Sequence, residues 1–307
     1  MAARFWRLQL ALELAVAAVI TWGMSSWLGL RTTAAFAVVP AVFLLLQFLL
    51  VAVSIFLGRV LTRSALAAFP WRVLFSESPA FLVEKLAMSV EPWLRWSENP
   101  PAPGAGDQRP VLLIHGVLCN RAIWRGLQRK LHAAGYSPVR ALNLAPLFAD
   151  IDEYARQVAK ELSSMRAEAR GARVAIIGHS MGGLVARAAA VRDVAEAVSC
   201  IVTLGTPHHG SVLARFVPGA AARQMLPGSA WLKQLNAMPR SESVPITTIY
   251  SMDDNHVAPA ASAELAGAAP RAVAGLGHFG LLHSARVLHY LLAALSQQDP
   301  GKRVGGV

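Results

Sequence analysis

The stretch Val174-Ala-Ile-Ile-Gly-His-Ser-Met-Gly-Gly183 decides how the rest of the chain is read. Its first four residues are apolar and partly β-branched, the pattern of a short buried strand. They run into Gly178-His179-Ser180-Met181-Gly182, a G-x-S-x-G pattern, and then into the helical run 184–191. A serine pinned between a strand and a helix needs a strained turn, and Gly178 and Gly182 supply the room. Such a turn points the hydroxyl outward at the carboxyl edge of a sheet. It also puts the next backbone N–H, that of Met181, at a helix N-terminus, where it can stabilise negative charge.

Around this turn apolar runs alternate with helical patterns, which predicts a parallel sheet covered on both faces. Strands are expected at 111–114, 136–142, 174–177, 198–204, 246–250 and 271–274, with helices at 123–134, 154–167 and 281–295. Right-handed crossovers make a doubly wound, mostly parallel α/β sheet the expected outcome.

With its strand and helix, the serine turn resembles that of the α/β-hydrolase superfamily, in the bacterial lipase and esterase branch. The resemblance covers roughly residues 110–295. Ile114-His-Gly-Val117 ends the first core strand, where the family carries an H-G pair and a loop that donates a backbone N–H. The resemblance therefore implies an oxyanion hole made of the Val117 and Met181 amides, with His115 shaping the loop. A serine hydroxyl needs a base, and the base needs an orienting acid. In this fold they follow along the chain as Ser, acid, His. Ser251-Met-Asp-Asp-Asn-His-Val-Ala-Pro259 resembles the D-x-x-V-x-P turn of related esterases, which selects Asp254 and leaves Asp253 as the alternative. Gly275-Leu-Gly-His-Phe-Gly280 resembles the family's histidine loop and selects His278 over His283 and His256. The expected catalytic residues are Ser180, Asp254 and His278.

Thr203-Leu-Gly-Thr-Pro-His-His-Gly-Ser211 resembles a G-T-P-H-x-G-S segment of bacterial lipases and reads as a wall of the acyl pocket. Its adjacent histidines lack a companion ligand set at metal spacing. Neither a metal nor a cofactor is expected. Between 209 and 240 the chain leaves the sheet with many apolar residues, among them Leu213, Phe216, Met225, Trp231, Leu232 and Leu235, and is expected to form a lid. A packed excursion without special role is the alternative.

The composition points to a membrane. The 307 residues are 54% hydrophobic, and the mean hydropathy is +0.42. Two apolar runs, 8–30 and 33–57, are each long enough as helices to cross a hydrocarbon core of roughly 30 Å. Neither shows a polar face, as a core helix of a soluble domain would, and a cleaved leader fits poorly with Glu13 and a second span close behind. Residues 1–72 are therefore expected to form a transmembrane hairpin with Trp6, Trp22, Trp27 and Trp71 as interfacial anchors. Arg4 and Arg7 precede the first span and Arg59, Arg63 and Arg72 follow the second, against Arg31 in the turn. Positive-inside counting puts both termini, and the catalytic domain, in the cytoplasm.

Residues 73–110 are expected to hold a juxtamembrane helix, capped by Ser78 with Pro79 at its first position, and then the Pro/Gly linker 99–106. The hydrolase domain is placed at 111–297 and a tail at 298–307. The formal charge of +11 fits anionic lipid better than nucleic acid, since the basic residues are scattered and without interleaved aromatics. The two cysteines, Cys119 and Cys200, form neither a disulfide framework nor a metal set.

These features define an expectation: a membrane-anchored serine hydrolase cleaving acyl-lipid-like esters, partnered by the bilayer. A thioesterase or acyltransferase on the same residues, or a silent hydrolase-like binding module, are the alternatives.

Overall fold

A computed structural model describes residues 1–28, 32–63, 70–94, 109–191, 195–239 and 244–297. The expected linker 99–106 and the tail lie outside the described residues. Six parallel strands form one sheet: β1 (Val111–Ile114), β2 (Val139–Ala141), β3 (Val174–His179), β4 (Val198–Leu204), β5 (Ile246–Ser251) and β6 (Ala269–Val273). Their spatial order is β2-β1-β3-β4-β5-β6. The chain moves outward from β1 to β2 and then returns to the other side of β1 as β3. That reversal makes the β1/β3 boundary the topological switch point, where open α/β sheets carry their ligand crevice.

Side chains alternate across the sheet. Leu112 and Ile114 join a core on one face with Ile151, Val158 and Leu184. Val111 and Leu113 join the core on the other face with Trp124, Leu131 and Leu291. The first face is covered by α5 (Ile151–Glu168) and α6 (Met181–Ala189). Asp150 caps α5 by accepting from the Glu153 N–H at 2.7 Å. The second face is covered by α4 (Arg125–Ala133) and α10 (Ala285–Ser296).

Three expected elements differ in detail. The second strand is shortened to three residues, because Pro138 lacks the N–H a longer ladder would need. The helix expected over 281–295 is broken into α9 (Gly280–His283) and α10, with Ser284 extended and its hydroxyl accepting from the Val287 N–H. The segment after β4 folds as a 3-10 turn at Val212–Phe216 and helices α7 (Ala220–Gln224) and α8 (Ala230–Ala237). Met225, Leu232 and Leu235 are buried in the first core, so most of the apolar residues of the lid segment are packed; Phe216 is exposed.

The N-terminal region is three helices: α1 (Ala2–Leu28), α2 (Thr32–Leu61) and α3 (Trp71–Val90). Stretches Ala2–Trp27 and Val38–Leu61, of mean hydropathy 1.5 and 2.7, are long and apolar enough to cross a membrane. Trp22, Trp27 and Trp71 are exposed, as anchors would be. Trp6 is not an interfacial anchor. It is buried, and its indole N–H donates to the Leu118 carbonyl at 2.7 Å, fixing α1 to the loop after β1. The expected cap at Ser78 is also corrected. The helix begins at Trp71, Ser78 Oγ donates back to the Leu74 carbonyl at 2.8 Å, and Pro79 sits inside the helix. Glu77, Ser78, Glu84, Lys85 and Met88 are all buried, because α3 packs on the body of the α/β unit.

Lys85 links the three helices. Its ammonium lies 2.8 Å from Glu13 Oε1 and 2.7 Å from Gln47 Oε1, while the Gln47 amide donates to Glu13 Oε2 at 3.0 Å. Glu13 and Gln47, one from each apolar run, are thereby paired, as an ionisable group in such a helix must be.

Candidate active site

Ser180 lies between β3 and α6 with φ +56° and ψ −126°. A serine in that region is strained, and the surrounding packing holds it there. A Cβ at Gly178 would come within 2.5 Å of the Gly183 nitrogen, and one at Gly182 within 2.1 Å of the Ile114 carbonyl. The two glycines thus let the turn pack against itself and against β1. The Ser180 N–H donates to the Leu204 carbonyl at 2.8 Å, tying the turn to the end of β4.

The loop after β1 abuts the serine: a Cβ at Gly116 would sit 2.9 Å from Ser180 Cβ. Val117 follows directly, and its side chain packs against the same core as Met181. His115 is a structural residue. Its Nδ1–H donates to the Gly116 carbonyl at 2.9 Å, and its Nε2 accepts the Leu144 N–H at 3.1 Å. Burial pulls its pKa down to about 4, so the ring stays neutral.

His278 and Asp254 meet beyond β6 and β5. His278 Nδ1 lies 2.8 Å from Asp254 Oδ2 and 3.1 Å from Oδ1. Oδ1 also accepts the His256 and Val257 N–H groups, each at 2.8 Å. Burial works against ionisation of both partners, yet their mutual attraction prevails: the Asp254 carboxyl is held below its ordinary pKa and the His278 imidazole above. Asp253 has another task, accepting the Gly275 N–H at 2.7 Å, which braces the turn before the histidine.

His179, the residue before Ser180, packs against His278. The rings of His179 and His278 lie 4.5 Å apart, and His179 Nε2–H donates to the His278 carbonyl at 3.3 Å. Among the described residues Ser180 Oγ makes no hydrogen bond, so the contact between hydroxyl and imidazole is not closed here. Such bonds are often long before substrate binds. His256 also packs against His278, ring centroids 4.9 Å apart, with its pKa lowered to about 3 by burial and by His278. Asp254, His256 and His278 each offer a ligand atom within 4.8 Å of the others. The carboxylate is already engaged by three N–H donors.

His208 belongs to a different cluster. Its ring lies between Arg187 and Thr203, each at 3.2 Å, and next to a guanidinium it is poorly suited to hold a cation. His283 pairs with Glu84 of α3 at 2.9 Å, away from the Asp254 pair. Sequence reasoning missed His179 and Asn255. The latter accepts the His278 N–H through Oδ1 at 2.9 Å. No local pattern marks it, because its partner lies 23 residues away.

The six-stranded parallel sheet and the strand–serine–helix turn at its switch point have the α/β-hydrolase fold. A family model described as a PGAP1-like alpha/beta domain matches residues 147–217, the segment from α5 to the end of the Val212–Phe216 turn. Among curated proteins, a triacylglycerol lipase of Pseudarthrobacter phenanthrenivorans is 34% identical over 122 residues, covering 37% of this chain and 37% of that protein. One of Pseudomonas fragi is 32% identical over 149 residues, covering 43% and 49%. The chain thus spans less than half the length of these relatives. In fold it is similar to Bacillus licheniformis lipase BlEst2 in mature form, with TM-score 0.57 and 19% identity over 64% of this chain and 96% of that one. It is also similar to Aspergillus fumigatus lipase B, with TM-score 0.56 and 24% identity over 63% and 54%. Over part of its length the chain is therefore similar to triacylglycerol lipases in sequence and to lipases in fold.

Proposed function

We propose that the protein is a membrane-anchored serine hydrolase that cleaves carboxylic esters of the acyl-lipid kind. The observation that carries this reading is the strained Ser180 turn beside a buried His278–Asp254 pair. Ser180 Oγ attacks the ester carbonyl while His278 Nε2 takes its proton. Asp254 holds the imidazole with Nδ1–H toward itself and stabilises the imidazolium. The Val117 and Met181 amides hold the oxyanion. His278 then returns the proton to the leaving alcohol, and water, activated by the same imidazole, hydrolyses the acyl-enzyme. Every step uses side chains and amides of this chain, with no cofactor called on.

Anchoring rests on α1 and α2, whose apolar surfaces are largely exposed. By flanking charge the catalytic domain faces the cytoplasm. A reporter fused after Val307 tests the orientation: activity confined to the outer side would reverse it.

The hydrolase reading is tested on detergent-solubilised full-length protein with a chain-length series of nitrophenyl esters and a fluorophosphonate probe. Wild type is expected to turn over and label. Ser180→Ala should lose labelling and at least ~10³-fold in kcat, since the nucleophile acts as one unit with its base. Full turnover by Ser180→Ala would overturn the assignment. Adding glycerol as acceptor separates hydrolysis from acyl transfer.

A further inference from the structure

Helix α3 stands outside the six-stranded core, yet one of its side chains reaches the loop that carries His278. Glu77 Oε1 accepts the Phe279 N–H and Oε2 accepts the Gly280 N–H, each at 2.8 Å. The side chain is fully buried. Two further observations single the contact out. A Cβ at Gly277 would lie 2.4 Å from Glu77 Cδ and Oε2, so the residue before the histidine must be glycine for this carboxylate to approach. On the other side, Asn255 accepts the His278 N–H and donates its amide to Ser54 Oγ of α2 at 2.9 Å. Three successive amides, 278 to 280, are thus held by side chains, and both holders connect to the N-terminal helices.

The carboxylate also acts by charge. The titratable groups facing His278 are Asp254 and His256 from the acid loop, His179 from the serine turn and Glu77 from α3. Asp254 and Glu77 favour the imidazolium, and His179 is held neutral by burial. Burial pushes the Glu77 carboxyl up to about 7, opposed by the two amides it accepts from. A group so costly to bury is hard to explain as packing alone.

We propose that Glu77 is a positioning residue of the active site, fixing the backbone after His278 and stabilising its imidazolium from a helix outside the hydrolase fold. This rests on the serine-hydrolase reading above. It makes the N-terminal helices part of the catalytic apparatus as well as an anchor.

The test uses the full chain in detergent with a nitrophenyl ester. Glu77→Gln keeps the shape, removes the charge and turns an NH₂ toward one amide donor. The expected result is a kcat at least about tenfold lower with KM within about twofold, as loss of alignment at the reacting groups produces. The acid limb of kcat/KM should move to lower pH, because a negative charge that favours the imidazolium is gone. Glu84→Gln, which disturbs the neighbouring α3 contact to His283, should leave kcat and the limb as in wild type. If Glu77→Gln does not fold, Gly277→Ala, which crowds the same carboxylate away from the loop but keeps its charge, should lower kcat likewise, with a smaller displacement of the limb in the same direction. An active wild type with an unaltered Glu77→Gln would overturn this proposal alone. So would losses in both glutamate variants that track melting temperature while the limb stays in place. A wild type that neither turns over nor labels would overturn the hydrolase reading, and this proposal with it.

Discussion

His278 and Asp254 form a buried pair at 2.8 Å, and the carboxylate that holds the imidazole is in turn held by the amides of His256 and Val257. The pair is rigid before any substrate arrives. The acid cannot rotate without abandoning two charge-assisted hydrogen bonds, each stronger than a neutral one.

The pair sets a pH dependence. The folded environment raises the His278 pKa, chiefly because Asp254 outweighs the penalty of burial. A base works only when unprotonated, so kcat/KM should rise with pH through a value above that of a free imidazole and then level off. Asp254→Asn removes the charge and should move the rise to lower pH, while kcat falls by about 10⁴-fold through loss of the correct tautomer. Asp253→Asn should leave the limb where it is. A pH–rate profile of the three proteins checks this, and a limb moved by the Asp253 change instead would transfer the acid's role.

The buried Lys85 between α1, α2 and α3 sets a stability expectation. Lys85 is fully buried and its partner Glu13 nearly so. Removing one partner leaves the other charge uncompensated, at a cost of about 3–5 kcal/mol. Lys85→Met or Glu13→Gln should therefore lower the melting temperature in detergent sharply. The double variant should recover much of the loss, since the surviving charge is what destabilises each single one. Strictly additive losses would contradict the pairing.

The cysteines should be inert. Burial pushes the Cys119 thiol up to about 12 and the Cys200 thiol up to about 11. The thiolate is the reactive form, so neither should alkylate in the native protein at pH 8, and both should in denaturant. Mass spectrometry after iodoacetamide treatment reads this directly. Rapid native labelling of Cys119, which lies in the loop beside the serine, would show that loop to be open.

The sequence by itself determined the alternation of strands and helices, the serine turn and the two long apolar helices. Each follows from short-range rules: the strand and helix periods, the room two glycines make for a strained serine, and apolar length. The lipase-like motifs also picked out Asp254 and His278 by their place after strand ends, although 24 residues separate them. What only the tertiary structure decided is how these parts are held. Tryptophan near an apolar end favours a membrane anchor at Trp6, but its indole donates into the loop after β1. The Ser78-Pro79 pair favours a cap, but the helix has already begun at Trp71. Glu77 carried no signal at all, since its partners lie 202 and 203 residues further on. Local patterning depends on neighbours along the chain. A buried carboxylate is explained only by the amides that folding brings to it.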